Sequence, residues 1–284
     1  MRVLVFGATG QLGRCLAEHF PQEVIAVGRA EADLTKPDDI LASMDRIQPH
    51  AVINAAAFTD VDGAEAARDM AFTINCDAPA VMAERAARMR IPFVHVSTDY
   101  VFDGSGDAPW HTTDTPAPLN VYGASKLAGE RAVHAAHPDA VVIRTSWVFS
   151  HLGSNFATTM MRLAVTFRTL DVVSDQIGGP TPASALAKAT MAAAGRTGAG
   201  GAYHFSGAPD VGWAEFAMAI FQEMGADVAV TPIPTSDYPA RPAQRPLNSR
   251  LECSKFEDTF GLRRPDWRTA VQDIVRNREG GENS

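Results

Sequence analysis

The chain has 284 residues and a net charge of −8, with 46% hydrophobic and 20% charged residues, which are ordinary values for a soluble globular protein. Because no basic excess is available to neutralise phosphates, this balance argues against a nucleic-acid surface. The three scattered cysteines have neither metal-type spacing nor a disulfide framework, so we expect a reduced, cytoplasmic protein. No apolar run approaches the ~20 residues of a membrane span, and glycines interrupt the apolar N-terminus too early for a signal peptide.

The first half of the chain alternates short apolar runs with segments of helical periodicity. The apolar runs predict buried parallel strands at residues 2–6, 23–27, 51–54, 93–97 and 140–144. Helical periodicity covers residues 11–20, 38–47, 70–89 and 122–136, and Pro79 is expected at a kink or break. This alternation predicts an α/β fold, a Rossmann-like doubly wound parallel sheet with helices on both faces.

The pattern is less regular after residue 150. Helices are predicted at residues 155–166, 182–194 and 213–224, strands at 170–174 and 203–206, and an extended proline-rich arm at 231–246. We expect residues 1–150 to form a dinucleotide-binding domain, completed by segments near 170–208. Residues 151–284 then form mainly a smaller, partly interleaved substrate-binding domain, and we expect its end, 280–284, to fray.

Gly7, Gly10 and Gly13 lie between the first predicted strand and the first predicted helix. Glycine lets the backbone come close to a pyrophosphate, and a helix N-terminus offers unpaired N–H groups and a positive dipole. Because dinucleotides bind after the first strand of such sheets, we expect a cofactor here. The spacing differs from the common G-x-G-x-x-G, and a glycine turn without a ligand is the alternative.

The end of the second strand predicts which form of the cofactor binds. An acidic residue there would pair with a ribose diol, but this strand ends in Val27-Gly28-Arg29. Arg29 suits a 2′-phosphate, so we expect NADPH, with NADH tolerated; a surface arginine is the alternative. Asp33 and Leu34 are predicted to lie around the adenine, although a turn aspartate that caps the next helix would give the same sequence.

Tyr122 and Lys126 are four residues apart, so both side chains share one face of a helix. A nearby cation favours the phenolate, and we expect Lys126 to lower the pKa of Tyr122 toward the working range. A tyrosine and a lysine at this spacing also occur on ordinary solvated helix faces, which is the alternative.

Thr98 follows the predicted strand at residues 93–97. Ligands bind beyond the carboxyl ends of strands in a parallel sheet, so we expect its hydroxyl to reach a substrate carbonyl close to Tyr122. The alternative is turn chemistry, since serine, threonine and aspartate also favour turns at strand ends.

Four motifs occur in order, at residues 7–13, 54–57, 97–104 and 122–130, and together they resemble the extended short-chain dehydrogenase/reductase superfamily. A narrower resemblance is to the dTDP-4-dehydrorhamnose reductase family. It rests on residues 11–13, 59–62, 144–149, 155–156, 174–176, 179–181 and 240–242, and it covers nearly the whole chain.

The resemblance implies an activity and roles for the candidate residues. Enzymes of this family transfer the nicotinamide hydride to the C4 ketone of a 6-deoxy-4-keto sugar on dTDP, which yields a precursor of bacterial surface polysaccharide. By this resemblance, Tyr122 protonates the developing alkoxide, Lys126 holds the nicotinamide ribose, and Thr98 hydrogen-bonds the carbonyl or the tyrosine. These roles agree with the need for a donor where negative charge develops.

The resemblance also extends the set of residues expected around each ligand. Around the cofactor these are Gly7, Gly10, Gln11, Leu12, Gly13, Arg29, Asp33, Leu34, Ala55, Ala56, Ala57, Tyr100, Tyr122 and Lys126. Around the dTDP-sugar they are Thr98, Asp99, Trp147 and Asn155. Without the resemblance, Trp147 would be interpreted as a core aromatic residue because it follows a strand.

Two other functions remain open from the sequence. A sugar-nucleotide epimerase or dehydratase of the same superfamily would hold the dinucleotide as a recycled prosthetic group. A regulatory subunit would keep the nucleotide site without turnover, but the joint presence of Thr98, Tyr122 and Lys126 argues against it.

The sequence supports few expectations about metal ions or partner molecules. Some relatives bind Mg²⁺ through acidic residues at a subunit contact, but Glu252, Glu257 and Asp258 have no ligand-like arrangement and suit a solvated face. We expect a monomer or homodimer that binds a small dTDP-sugar, with no nucleic-acid or membrane partner.

Overall fold

A six-stranded parallel sheet forms the centre of the protein, seen in a computed structural model that describes residues 1–281, with side chains to residue 276. Its strands are β1 (Val3–Phe6), β2 (Val24–Val27), β3 (Ala51–Asn54), β4 (Phe93–Thr98), β5 (Val141–Thr145) and β10 (Gly201–His204). They lie in the order β10-β5-β4-β3-β1-β2, and every neighbouring pair is parallel. The predicted doubly wound α/β fold is confirmed.

Helices cover both faces of the sheet. In chain order the helices are α1 (Gln11–His19), α2 (Pro37–Ile47), α3 (Val61–Ala66), α4 (Arg68–Phe72), α5 (Ala78–Met89), α6 (Val121–Ala136), α7 (Phe156–Thr166), α8 (Ala183–Ala194), α9 (Trp213–Glu223), α10 (Ser254–Phe260) and α11 (Trp267–Gly281). Because strand side chains alternate, Val3 and Val5 pack in the core with α1 and α8. Leu4 and Phe6 pack in the opposite core with α2 and α5.

The helix predicted at residues 70–89 contains a wider turn just before Pro79. A π-helical turn (Thr73–Asp77) lies between α4 and α5, and Pro79 follows it as the second residue of α5. The residues on both sides of the turn are helical, so the proline lies within a continuous helical segment that widens just before it. The wider turn directs the buried Asn75 side chain toward α6.

The C-terminal part builds a second, smaller core. Its strands are β6 (Val148–Phe149), β7 (Thr169–Val173), β8 (Ile177–Gly178), β9 (Thr181–Pro182), β11 (Val211–Gly212), β12 (Ala229–Ile233) and β13 (Asn248–Ser249). The strands β7 and β12 pair in parallel, and α7, α9 and α11 bury Phe216 and Trp267 beside them.

Later segments also return to the main sheet, since α8 packs on it and β10 extends its edge beside β5. The two-domain division, with segments near 170–208 completing the dinucleotide-binding domain, stays a proposal. Within the described residues, no helix is both long and apolar enough to cross a membrane. The fraying expected for residues 280–284 falls partly on 282–284, which lie outside the described residues.

Candidate active site

The strand order reverses between β1 and β3, and the loops that follow these two strands touch. Gly7 has φ +105°, and a Cβ there would lie 2.8 Å from the Ala56 backbone nitrogen. Ala55 continues the ladder, since its N–H donates to the Phe6 carbonyl at 3.0 Å. Ligands bind at such a reversal in open parallel sheets, so the predicted residues 55–57 and the glycine loop meet at the expected place.

The glycine loop forms a tight backbone cradle at the start of α1. A Cβ on Gly13 would lie 2.1 Å from the Gly7 carbonyl oxygen, so only glycine permits this approach. Gly10 is the N-cap residue of α1, and no side chain among the described residues caps this helix. Its first N–H groups therefore remain for an anion, and the cradle fits a dinucleotide pyrophosphate. Leu12 is buried in the core, which leaves only its backbone for a ligand.

The side chains of Gln11 and Asn155 bind each other beside this loop. Gln11 Oε1 accepts hydrogen bonds from Ser150 Oγ at 2.7 Å and from Asn155 Nδ2 at 3.0 Å. Asn155 also caps α7, where its Oδ1 accepts from Thr158 N at 3.1 Å. The Asn155 amide thus ties α7 to the glycine loop, and its predicted contact with the substrate stays a prediction.

The end of β2 carries an acidic residue that the sequence analysis missed. The exposed Glu31 turns back, and its Oε2 accepts the Gly28 N–H at 2.9 Å. The predicted Arg29 has 83% of its side chain exposed and lies 3.8 Å from an Asp33 carboxylate oxygen. The carboxylate and the guanidinium therefore both lie at the strand end where a ribose is expected. The indication available in the sequence was that Glu31 follows Gly28 by three residues, a spacing at which a turn can bring a side chain back to a backbone N–H.

Asp33 and Leu34 occupy the next turn. Asp33 Oδ1 accepts from Thr35 N at 3.0 Å and from Thr35 Oγ1 at 2.8 Å, and these hydrogen bonds hold the pKa of Asp33 below its usual value. Leu34 packs against the core beneath β2. Asp33 is a turn residue and does not cap α2, whose N-cap is Lys36, so its predicted place at the adenine stays a prediction.

Helix α6 begins close against the turn that follows β4. Asn120 caps it by accepting the Gly123 N–H at 2.8 Å, and a Cβ on Gly123 would lie 2.1 Å from the Tyr100 carbonyl oxygen. Asn75 holds the helix from the other side by donating to Ser125 Oγ at 2.9 Å. Its Oδ1 accepts the Phe58 N–H at 2.8 Å, so one buried amide joins α6 to the loop after β3.

Tyr122, in the first turn of α6, meets Thr98 from the end of β4. Burial raises the pKa of Tyr122 to about 12, and a hydrogen bond with Thr98 opposes this rise. The ring of Tyr100 lies edge-on to that of Tyr122, with centroids 5.6 Å apart. The phenol is consequently neutral near pH 7, which is the form that a proton donor needs.

Lys126 lies one turn further along α6 and is fully buried. Its Nζ donates to the Val96 carbonyl at 2.7 Å and lies 3.4 Å from His95 Nε2. Burial lowers the pKa of Lys126 to about 8, with Glu130 opposing the shift. The expectation that Lys126 lowers the pKa of Tyr122 is wrong for this structure, because burial dominates at the phenol and the ammonium is directed at the Val96 carbonyl. The shared helix face itself is confirmed.

Asp99 presents an unpaired oxygen next to these groups. Its carboxyl is 4% exposed, and Oδ1 accepts the Thr98 hydroxyl at 3.1 Å. Burial raises the pKa of Asp99 to about 6, and the nearby Ser249 and Thr98 hydroxyls oppose the rise. Among the described residues, Oδ2 is buried without a hydrogen-bond partner. Such an atom is costly unless a ligand donor satisfies it.

Trp147 is not a core residue. It adopts φ +50°, is only partly buried, and stacks on Trp213 with ring centroids 3.5 Å apart. Trp213 lines a cavity of about 1080 Å³ that Tyr100, the neighbour of Tyr122, also lines. The stacked indoles therefore join the segment after β5 to α9 beside this cavity.

The proline-rich arm closes this cavity and is attached to the main domain by Asp62 of α3. Asp62 Oδ2 accepts from Arg245 Nη2 at 2.8 Å and lies 3.4 Å from Arg241 Nη1. Its Oδ1 accepts from Arg245 Nη1 at 3.0 Å and from Ala243 N at 3.2 Å. Both arginines line the cavity, so the carboxylate sets their positions there. Nothing in the spacing of these residues, far apart in the chain, indicated the contact.

No group of three or more acidic, histidine or cysteine side chains is arranged to hold a metal ion within the described part of the chain. The site has instead a backbone cradle for a dinucleotide and, at the same sheet edge, a helix-borne tyrosine and lysine beside a threonine. Oxidoreductases that work this way are the NAD(P)-dependent short-chain dehydrogenases/reductases, and the protein is an extended member of that class.

Comparison with known proteins narrows the class. The family described as the RmlD substrate binding domain matches residues 1–279. A dTDP-4-dehydrorhamnose reductase of Aggregatibacter actinomycetemcomitans is 41% identical over 96% of this chain and 98% of that protein, and one of Burkholderia thailandensis is 42% identical over 98% and 99%. The crystal structure of the Bacillus anthracis dTDP-4-dehydrorhamnose reductase in complex with NADP has a TM-score of 0.92 at 34% identity, covering 97% of this chain and 99% of that one. The chain belongs to the dTDP-4-dehydrorhamnose reductase family.

Proposed function

We propose that this protein reduces the C4 ketone of dTDP-4-dehydro-L-rhamnose to dTDP-L-rhamnose with NADPH or NADH. The observation that carries the proposal is the position of Tyr122, which lies at the sheet edge beside the cofactor cradle. Tyr100 links its ring to the large cavity. A neutral phenol there protonates the C4 oxygen as negative charge develops on it.

The cofactor supplies the hydride when it is bound, and this chain supplies the cradle. The free N–H groups at the start of α1 hold the pyrophosphate, and Gly13 keeps the loop closed enough for them to converge. Residues 55–57 line the nicotinamide side. Lys126 holds the nicotinamide ribose, since its ammonium hydrogens not used by the Val96 carbonyl remain for the ribose hydroxyls.

The dTDP-sugar occupies the cavity beyond Tyr100. The unpaired Asp99 Oδ2 accepts a sugar hydroxyl, and Trp147 offers its ring to the sugar. Arg241 and Arg245 line the same cavity and suit the diphosphate, because guanidinium groups match phosphate oxygens in pairs. We propose this arrangement for the C-terminal part as a whole, as the substrate-binding domain.

The direct test is an NADPH-oxidation assay with dTDP-4-dehydro-L-rhamnose and, in parallel, GDP- and UDP-linked 4-keto sugars. We expect oxidation with the dTDP sugar and at least ~100-fold lower kcat/KM with the others, because the relatives of this chain are named as dTDP-4-dehydrorhamnose reductases. Oxidation only with a non-dTDP sugar would refute the substrate. Turnover with tightly bound NAD⁺ and no added NADPH would indicate an epimerase or dehydratase.

Cofactor preference depends on the opposed charges at the end of β2. Arg29→Ala is expected to weaken NADPH binding more than NADH binding, because the guanidinium favours the 2′-phosphate. Glu31→Ala is expected to weaken NADH by about tenfold and to leave NADPH equal or tighter, because the carboxylate accepts from a ribose diol and repels a phosphate. Dissociation constants from NADH and NADPH fluorescence measure both effects. Equal losses of affinity for NADPH and NADH would show that neither side chain distinguishes the 2′-phosphate from the ribose diol.

A further inference from the structure

Behind Lys126, two fully buried side chains form a hydrogen-bonded pair that the proposed reaction does not use. Asn54 ends β3, and His95 lies directly opposite it in β4. Asn54 Nδ2 and His95 Nδ1 are 3.1 Å apart. On its other side, His95 places Nε2 3.4 Å from Lys126 Nζ. The pair therefore connects the loop lining the cofactor cradle with the lysine of the catalytic group.

The backbone determines which atoms in this pair donate. The Ala56 N–H donates to Asn54 Oδ1 at 3.1 Å, so the amide oxygen faces the loop and the amide nitrogen faces the histidine. An amide nitrogen only donates, and His95 Nδ1 must therefore accept. Burial and the charge of Lys126 hold the pKa of His95 well below its usual value, so the ring is neutral. Its single proton is consequently on Nε2, the atom that faces Lys126.

An N–H directed at the lysine is an unusual neighbour for an ammonium group. A protonated Lys126 has only donors, so the His95 N–H offers it nothing to bind, and Val96 supplies the acceptor at 2.7 Å. The remaining titratable neighbours do not reverse this effect. Glu130 lies one turn along α6, but Arg144 Nη2 donates to its carboxylate at 2.7 Å.

Two further titratable groups, Tyr122 and His134, belong to α6. Tyr122 is neutral near pH 7 and lies one turn before Lys126 on α6. His134, also on α6, has its pKa lowered by burial, which keeps it neutral beside His95. The immediate electrostatic surroundings of Lys126 Nζ are therefore one carbonyl, one paired carboxylate and the His95 N–H.

We propose that His95, oriented by Asn54, is a positioning residue for Lys126: it takes none of the ammonium hydrogens, so those not used by the Val96 carbonyl remain for the cofactor ribose, and it disfavours the protonated form of the lysine. The inference rests on the proposed function, because it assumes that Lys126 holds the ribose. This effect adds to that of burial, which already lowers the pKa of Lys126 to about 8.

His95→Gln tests the inference, since a glutamine carbonyl can accept from Lys126 where the histidine N–H cannot. The readout is the pH dependence of the NADPH dissociation constant, which needs no sugar substrate. In the unaltered protein we expect binding to weaken as pH rises through about 8, the pKa of Lys126. In the variant we expect this weakening to move upward by about one pH unit, since an acceptor stabilises the ammonium. The alkaline limb of kcat/KM should move with it.

His204→Gln is the matched control. His204 is equally buried, and its Nε2 lies 3.4 Å from Arg144 Nη1, so it faces a different cation. Its replacement is expected to leave the pH dependence of NADPH binding in place.

Asn54→Asp is a second variant, which tests the same inference if His95→Gln does not fold. The nearly isosteric carboxylate still accepts the Ala56 N–H and now requires a proton on His95 Nδ1, which frees Nε2 to accept from Lys126. The same upward movement is expected. An unmoved alkaline limb in whichever of the two variants keeps the normal melting temperature would overturn the inference. Absence of NADPH binding in the unaltered protein would instead refute the proposed function.

Discussion

Replacing Tyr122 with phenylalanine is expected to lower kcat by about 10³-fold while leaving the NADPH dissociation constant within about threefold. Burial raises the pKa of the phenol from its ordinary value of 10 to about 12, so the group carries its proton near pH 7, as the proposed proton donor must. Phenylalanine keeps the ring that lies edge-on to Tyr100 and therefore preserves packing. Only the hydroxyl that we propose as the proton donor is removed.

Tyr203→Phe is a suitable comparison for this variant. Tyr203 is a buried tyrosine of β10, and its hydroxyl donates to the Ala199 carbonyl at 2.9 Å, away from the active site. Its loss should cost about 1 kcal/mol of stability without an effect on kcat. Single-turnover and steady-state rates with the dTDP sugar measure both variants. Near-normal kcat in Tyr122→Phe would remove the tyrosine from the mechanism.

Gly13→Ala is expected to weaken NADPH binding at least about 100-fold and to destabilise the protein by about 1–3 kcal/mol even without a ligand. The new Cβ would lie 2.1 Å from the Gly7 carbonyl oxygen, which is backbone and cannot rotate away. The loop has to open to admit the methyl group, and the N–H groups at the start of α1 then no longer converge on one phosphate.

Two further alanine variants separate the fold of the loop from its contact with the cofactor. A Cβ on Gly10 would meet only the Gly7 carbonyl oxygen at 3.5 Å, so Gly10→Ala should keep the melting temperature and weaken NADPH where the backbone approaches the pyrophosphate. Gly195→Ala, at the C-terminal cap of α8 with a nearest contact of 3.6 Å, should change neither quantity. Calorimetry and NADPH titration distinguish the three. A Gly13→Ala protein with unchanged melting temperature and affinity would contradict the cradle.

Arg29 and Glu31 show that the local sequence did not predict which charged side chains lie at the end of β2. A strand ending in Val27-Gly28-Arg29 suggested a basic ribose site, and the arginine is indeed exposed there. The carboxylate enters because the chain turns after Gly28, and the Gly28 N–H draws the Glu31 side chain back to the strand end. Strand periodicity describes residues within an element, whereas this contact depends on the geometry of the turn that follows it.

For the tyrosine–lysine pair, the sequence predicted where the two residues lie on the helix but not the electrostatic environment of their side chains. Their spacing on one helix face was predictable, because helical periodicity is a local property. The direction of the Tyr122 pKa shift was not, since it depends on burial against Tyr100 and on the Val96 carbonyl that takes the Lys126 ammonium. Those groups come from β4 and the turn after it, which only the folded chain brings to α6.

By itself, the sequence predicted the succession of strands and helices, the parallel sheet, the glycine loop after β1 and the residues proposed for the catalytic group, because each is indicated by local periodicity or by a motif of near neighbours in the chain. The tertiary structure decided the burial, the hydrogen bonds and the electrostatic surroundings of those residues. It set the burial that raises the pKa of Tyr122 and the histidine nitrogen that faces Lys126. It also set the Asp62 contact that fixes the arm more than 170 residues away, where Ala243 N donates to its carboxylate. Electrostatics and long-range hydrogen bonds depend on distances in space, and these follow from how the two faces of the sheet and the C-terminal arm pack together.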